Sequence, residues 1–413
     1  MTRPMPRGPE PRGTDARTSV SRGPAGRVAD VQFQTRRGLV VAAAFMVAAA
    51  GAGITGVGAD WWLPLHLFVV GALLSAISAV TQMLAVTWSA APAPRPLVAG
   101  AQRWVLAVGT VALVVGRETD RSLMFVAGGS TVVAAMLGLA AILLRIRQQA
   151  VTPRFAPAIE AYVAAAVAGA TGMSIGLLLG TGRAGRSYVE LRDVHLVLNV
   201  FGLVGLVIVS TLPYFAATQV RSKMSPRATP TAMRITFGAL VAATVIAAAG
   251  HLADRPGVAA GGLIIYGLGL LAIAAMLPIY ARSRLRWAGP RLVQLAAGFA
   301  WWAAMTVALA VVTIRETDDR AILRALVVGG FVQILVASLA YLGPVLRGGG
   351  HELLTAGFAV TRSWVSLAVG NTAALAALVG HGPTLAAALA IWLTDIAIRA
   401  GQLLTTTRSN DHV

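Results

Sequence analysis

No cysteine occurs in this chain of 413 residues, and Lys223 is the only lysine among its 34 basic side chains. The first absence excludes disulfides, thiolate metal sites, iron–sulfur clusters and cysteine nucleophiles, so any metal must take histidine, carboxylate or methionine ligands. The second marks an arginine-biased composition and carries no chemistry by itself. Charge is scarce altogether: 12% of residues are charged against 57% apolar, with a mean hydropathy of +0.73, which excludes an ordinary soluble domain. Also missing are a Walker phosphate loop, a nucleophile elbow and a HExxH zinc helix. The methionines are scattered without the clustering of a copper relay.

What the chain does have is apolar runs of bilayer-crossing length, for which about 20 residues suffice. Twelve spans are expected, near 38–58, 61–88, 102–116, 122–146, 157–180, 189–219, 232–252, 257–281, 292–314, 321–346, 363–380 and 384–406. The expected fold class is therefore an all-α integral membrane protein. Residues 1–37, rich in Arg, Pro and Gly, read as a disordered basic tail, 38–406 as the membrane domain and 407–413 as a C-terminal tail.

Charge then sets an orientation. The tails, the even-to-odd loops and the last helix hold 25 basic and 7 acidic residues, whereas the odd-to-even loops hold 9 of each. The whole net charge of +18 lies on one face, which the positive-inside rule makes cytoplasmic, with both termini there. Anionic headgroups of the plasma (inner) membrane suffice as partners for that surface, and no nucleic acid is needed.

Two internal similarities suggest different repeats. Residues 110–121 (TVALVVGRETDR) resemble 306–320 (TVALAVVTIRETDDR), six spans apart. Residues 64–71 (PLHLFVVG), 194–202 (VHLVLNVFG) and 324–330 (RALVVGG) link spans two, six and ten, as three pseudo-symmetric arcs of four would require.

The second similarity puts intramembrane histidines in register. His66 lies just behind the Trp61–Trp62 pair of span two, His195 near the start of span six, and His251 at the end of span seven. All belong to the outer side, and neutral imidazole is a good ligand for haem iron, copper or zinc. Asn199 stands one helical turn after His195 on the same face, followed by Gly202. The plain alternative is that His66 and His195 are packing groups that hydrogen-bond between helices, with His251 an interfacial cap. Asp395 and Arg399 in span twelve stand four residues apart and neutralise one another as a structural pair, or serve a proton- or substrate-coupling role.

Twelve spans with a histidine at the head of span two and another in span six resemble subunit I of haem–copper oxidases. They are still more similar to NnrS-type haem- and copper-containing membrane proteins and to the actinobacterial membrane region associated with cupredoxin-type nitrite reductases or multicopper oxidases. The residues that carry the resemblance are His66-Leu67, then Asp193-Val194-His195-Leu196 with Asn199 and Gly202, and Tyr341-Leu342-Gly343-Pro344-Val345 before Gly348–Gly350. It implies a haem or copper held by His66 and His195, and a redox protein or cupredoxin-type oxidase as partner. Asp193 and Ala325 stand where the related pattern has further histidines, so the resemblance implies no complete oxygen-reducing centre. The rival from another class is a secondary transporter of a small solute with a six-plus-six repeat, supported by the shared RETD loops and the Asp395–Arg399 pair.

Overall fold

The computed structural model describes residues 24–57, 61–278 and 287–408, and among these every regular element is helical. Eleven helices are long and apolar enough to cross a membrane, and a pair bent by 44° counts as a twelfth when taken as one broken span. They are α1 (Pro24–Thr55), α2 (Trp62–Ser89), α3 (Pro96–Glu118), α4 (Ser122–Gln148), α5 (Pro153–Gly180) and α6 (Gly185–Gln219). Then come α7 (Pro230–Leu252), α8 (Pro256–Ala275), α9 (Pro290–Arg315), α10 (Arg320–Arg347), the bent α11 (Gly350–Val360 and Trp364–Val379) and α12 (Gly382–Arg408).

Most boundaries fall within a few residues of those expected, with one correction. Helix α1 begins at Pro24, inside the stretch 1–37 read as a disordered tail. Packing, not hydropathy, orders that extension. Val31 and Thr35 are 5% and 1% exposed, and the Thr35 hydroxyl donates to the Val31 carbonyl at 2.8 Å. Arg103 of α3 donates to Gln34 Oε1 at 3.0 Å. Residues 1–23 and 409–413 lie outside the described residues, as does the expected end of span eight at 279–281.

Three helices form the inside. In their most apolar windows α2, α6 and α10 are 67%, 72% and 67% buried, and no other span exceeds 44%. Each of the three contains one π-helical stretch, at Leu67–Leu73, Leu198–Gly205 and Leu326–Val332. Gly71, Gly202 and Gly330 each occupy the fifth position of their stretch. Each glycine also leans on the helix before its own. A Cβ at Gly71 would meet Phe45 of α1 at 2.6 Å, at Gly202 it would meet Ala168 of α5 at 3.0 Å, and at Gly330 Trp302 of α9 at 3.2 Å. A π turn leaves carbonyls without their usual partner, and here neighbouring hydroxyls approach them. Tyr266 of α8 donates to the Phe201 carbonyl at 3.1 Å, and Thr110 Oγ1 of α3 lies 3.5 Å from that of Val70.

One helix cap recurs along the chain without that period, since it also closes α5 at Gly182 and α9 at Glu316. Asp120, Asp254 and Gly380 end α3, α7 and α11 in the left-handed conformation, at φ 53°, 50° and 74°. In each, the next amide donates to the carbonyl five residues back: Arg121 to Gly116 (2.8 Å), Arg255 to Gly250 (2.8 Å) and His381 to Ala376 (2.9 Å). Contacts of α4 with α5, α8 with α9, and α12 with α1 close the ring. With a π-helical stretch in every fourth helix, the chain divides into three arcs, α1–α4, α5–α8 and α9–α12.

The two RETD loops share that cap but not its register. The left-handed residue is Asp120 in one loop but Glu316, the second residue of its RETD, in the other. The inner helices line an apolar pocket of about 100 Å³, with Ile77, Val207, Phe215, Phe331 and Ile334 on its wall.

Candidate functional site

His66 occupies the last α-helical position of α2 before its π stretch. Its Nδ1 lies 2.8 Å from the Trp62 carbonyl, one turn back. A carbonyl can only accept, so Nδ1 carries the proton and donates, and Nε2 keeps its lone pair. The imidazole stacks on the Trp62 ring, with centroids 4.1 Å apart and planes at 21°. Arg117, from the RETD sequence of α3, stands over that same indole at 5.9 Å, and Arg324 of α10 over Trp61 at 5.7 Å. Arg117 therefore braces the tryptophan on which His66 rests.

His195 has a second anchor of the same chemistry on a different helix. Its Nδ1 donates to the Gly172 carbonyl of α5 at 2.7 Å, which again leaves Nε2 as the lone-pair nitrogen. The imidazole seats against Gly176, where a Cβ would stand 2.7 Å from His195 Cε1. Asn199 donates to the His195 carbonyl at 2.8 Å, at the point where α-helix gives way to π-helix. No Nε2 hydrogen bond is made by either histidine among the described residues.

His251, the third candidate ligand, meets a carboxylate where the other two meet a carbonyl. Its Nδ1 lies 3.5 Å from Asp193 Oδ2. Asp193 in turn shares Arg192 with Asp319, each ion pair at 2.7 Å. A carboxylate on the adjoining helix gives His251 an electrostatic partner, and the network ties α6 and α7 to the start of α10. Among the described residues no group of three His, Asp or Glu side chains forms a metal site. In α10, Ala325 directly precedes the π stretch, the position that His66 holds in α2, and it is fully buried.

The Asp395–Arg399 pair holds the break in α11. Arg399 Nε donates to Asp395 Oδ1 at 2.9 Å, and its Nη1 donates to the Val360 and Arg362 carbonyls at 2.9 and 2.6 Å. Ser363 donates to the other carboxylate oxygen at 2.7 Å. Two carbonyls and one hydroxyl at the bend are thereby bonded by one side-chain pair, which is a structural task.

Two residues escaped the sequence reading. Glu160 receives Arg147 of α4 and Arg234 of α7, both at 2.9 Å, and so clamps α4, α5 and α7 at the arginine-rich end. The available signal was a lone carboxylate among arginines. The other is Arg291, whose surroundings are described below, and nothing in the Trp-Ala-Gly-Pro-Arg sequence of 287–291 distinguishes it from the arginines nearby.

No known family matches this chain, and no curated protein is similar to it.

Proposed function

We propose that this polytopic helical membrane protein holds a copper ion or a haem through His66 and His195, in a redox, nitric-oxide-related or copper-handling role. The observation that carries the proposal is the pair of Nδ1 anchors. Backbone carbonyls of Trp62 and Gly172 fix both imidazoles in the tautomer that presents Nε2 as a donor, the usual preparation of a metal-ligating histidine. Either group, when bound, supplies one-electron chemistry. The protein's own part is to orient two neutral imidazoles, with α5 glycines seating one and the Trp62–Arg117 stack bracing the other. With Ala325 in α10 and no group of three ligating side chains among the described residues, the donor set is incomplete for an oxygen-reducing centre, so an outside redox partner belongs to the proposal. The arginine-rich end is assigned to the cytoplasm of a plasma (inner) membrane by the positive-inside rule.

A transporter with six-plus-six symmetry draws less support, because π-helical stretches recur every four helices and the RETD loops place their left-handed residue at different letters. The test is an absorbance spectrum, oxidised and reduced, with metal analysis of protein expressed with haem and copper supplied. A Soret band or stoichiometric copper is expected, lost in both His66→Ala and His195→Ala. A colourless and metal-free wild-type protein would falsify the proposal.

A further inference from the structure

Arg291 is among the largest fully buried side chains, 1% exposed, and its Nε, Nη1 and Nη2 all lack a hydrogen-bond partner among the described residues. Burying a guanidinium without an acceptor is costly, and proteins ordinarily pair it. Its neighbours make this worse, not better. Arg362 and Arg221 both act on it electrostatically, and buried Arg362 Nε is also without a partner. No carboxylate is among the charged groups acting on Arg291. Aromatic rings wall the guanidinium: Phe358 at 4.4 Å, Trp287 at 5.1 Å and Tyr341 at 5.3 Å. Cation–π contacts offset part of the desolvation but accept none of the five N–H donors in plane.

We infer that Arg291 and Arg362 form a binding site for a phosphate-bearing anion at the arginine-rich end, between α9, α10 and the first half of α11. A planar guanidinium fork matches phosphate oxygens in pairs, and the two guanidiniums of Arg291 and Arg362 together suit a doubly charged group. The helical frame fits that role. Arg291 is the second residue of α9, where free amides and the helix dipole favour an anion. Arg362 is held over the site by donating to the Trp287 carbonyl. The same phosphate chemistry is offered by an anionic phospholipid headgroup and by free phosphate, and the site is independent of the two histidines.

The test uses delipidated full-length protein in neutral detergent, with thermal unfolding followed at constant ionic strength. Inorganic phosphate is titrated in one arm and phosphatidylglycerol in the other, against chloride and phosphatidylcholine as references. A saturable rise in Tm with phosphatidylglycerol alone identifies a headgroup, and a rise with inorganic phosphate identifies a soluble anion. In either case Arg291→Met and, separately, Arg362→Gln are expected to weaken the response roughly ten- to a hundred-fold. Arg362→Gln leaves the buried cation in place and so serves if Arg291→Met fails to fold. No rise in the wild type with either probe, or an undiminished rise in the folded variants, overturns the site.

Discussion

A single hydrogen bond to a carbonyl decides what each histidine offers, and the donor side of that bond is the same in two unrelated settings. His66 is anchored within its own helix, His195 on the backbone of another. The second seat is sensitive to one methyl group. Gly176→Ala places a Cβ 2.7 Å from His195 Cε1, so the ring must turn away from the Gly172 carbonyl. The expected result is a folded protein with reduced haem or copper content, read by absorbance and metal analysis beside unchanged helicity. At the opposite end, Asp395→Asn removes the charge that pairs with Arg399, whose side chain is 27% exposed. Partial solvation limits the cost to about 1–3 kcal/mol, the range for a hydrogen bond to a charged group, measurable by chemical unfolding in mild detergent. Polar residues inside apolar runs were legible in the sequence because each stands out against its surroundings. Glu160 and Arg291 were not, since a cluster of arginines hides which one is buried and which carboxylate they share.

Elements carry the repeat that the side chains only hint at. The similarity among 64–71, 194–202 and 324–330 pointed to α2, α6 and α10, and the structure gives its cause in three glycines that let π-helical turns lean on neighbouring helices. The π turns themselves have no local signature, because an extra residue per turn is a matter of packing and hydroxyl rescue and not of hydropathy. Filling one of these contacts tests it. Gly71→Leu drives a side chain into the Phe45 ring, where even a Cβ would lie 2.6 Å away. Overpacking of this kind costs about 1–3 kcal/mol, and a lower Tm at unchanged helix content is expected. Deleting Val69 should instead convert the stretch to α-helix and rotate His66 by about 100° relative to the lower half of α2. Loss of metal with helicity retained is the expected readout, and full metal occupancy would detach the π turn from the site. The start of α1 was misread for a related reason, since Gln34 and Thr35 are ordered by partners on α2 and α3 and not by apolar character.

At the scale of the molecule, span count, helix class and the privileged position of α2, α6 and α10 follow from the order of apolar runs. The shared helix cap does not, because α3, α5, α7, α9 and α11 end in one turn and not in one sequence: Asp120, Gly182, Asp254, Glu316 and Gly380 hold its left-handed position. Inside a bilayer, where lipid is as apolar as leucine, this ring is held by close packing and interhelical bonds more than by exclusion of water. Closure of the ring between α12 and α1 then makes chain order dispensable. A circular permutant joined from α12 back to α1 by a flexible linker, and opened between α4 and α5, should be recovered monodisperse with a Tm close to that of the parent. Opening within an arc, at the α3–α4 turn, should not be tolerated as well, and equal tolerance of both cuts would deny the arcs any independence. Each arc is in that sense a module that can be first, middle or last.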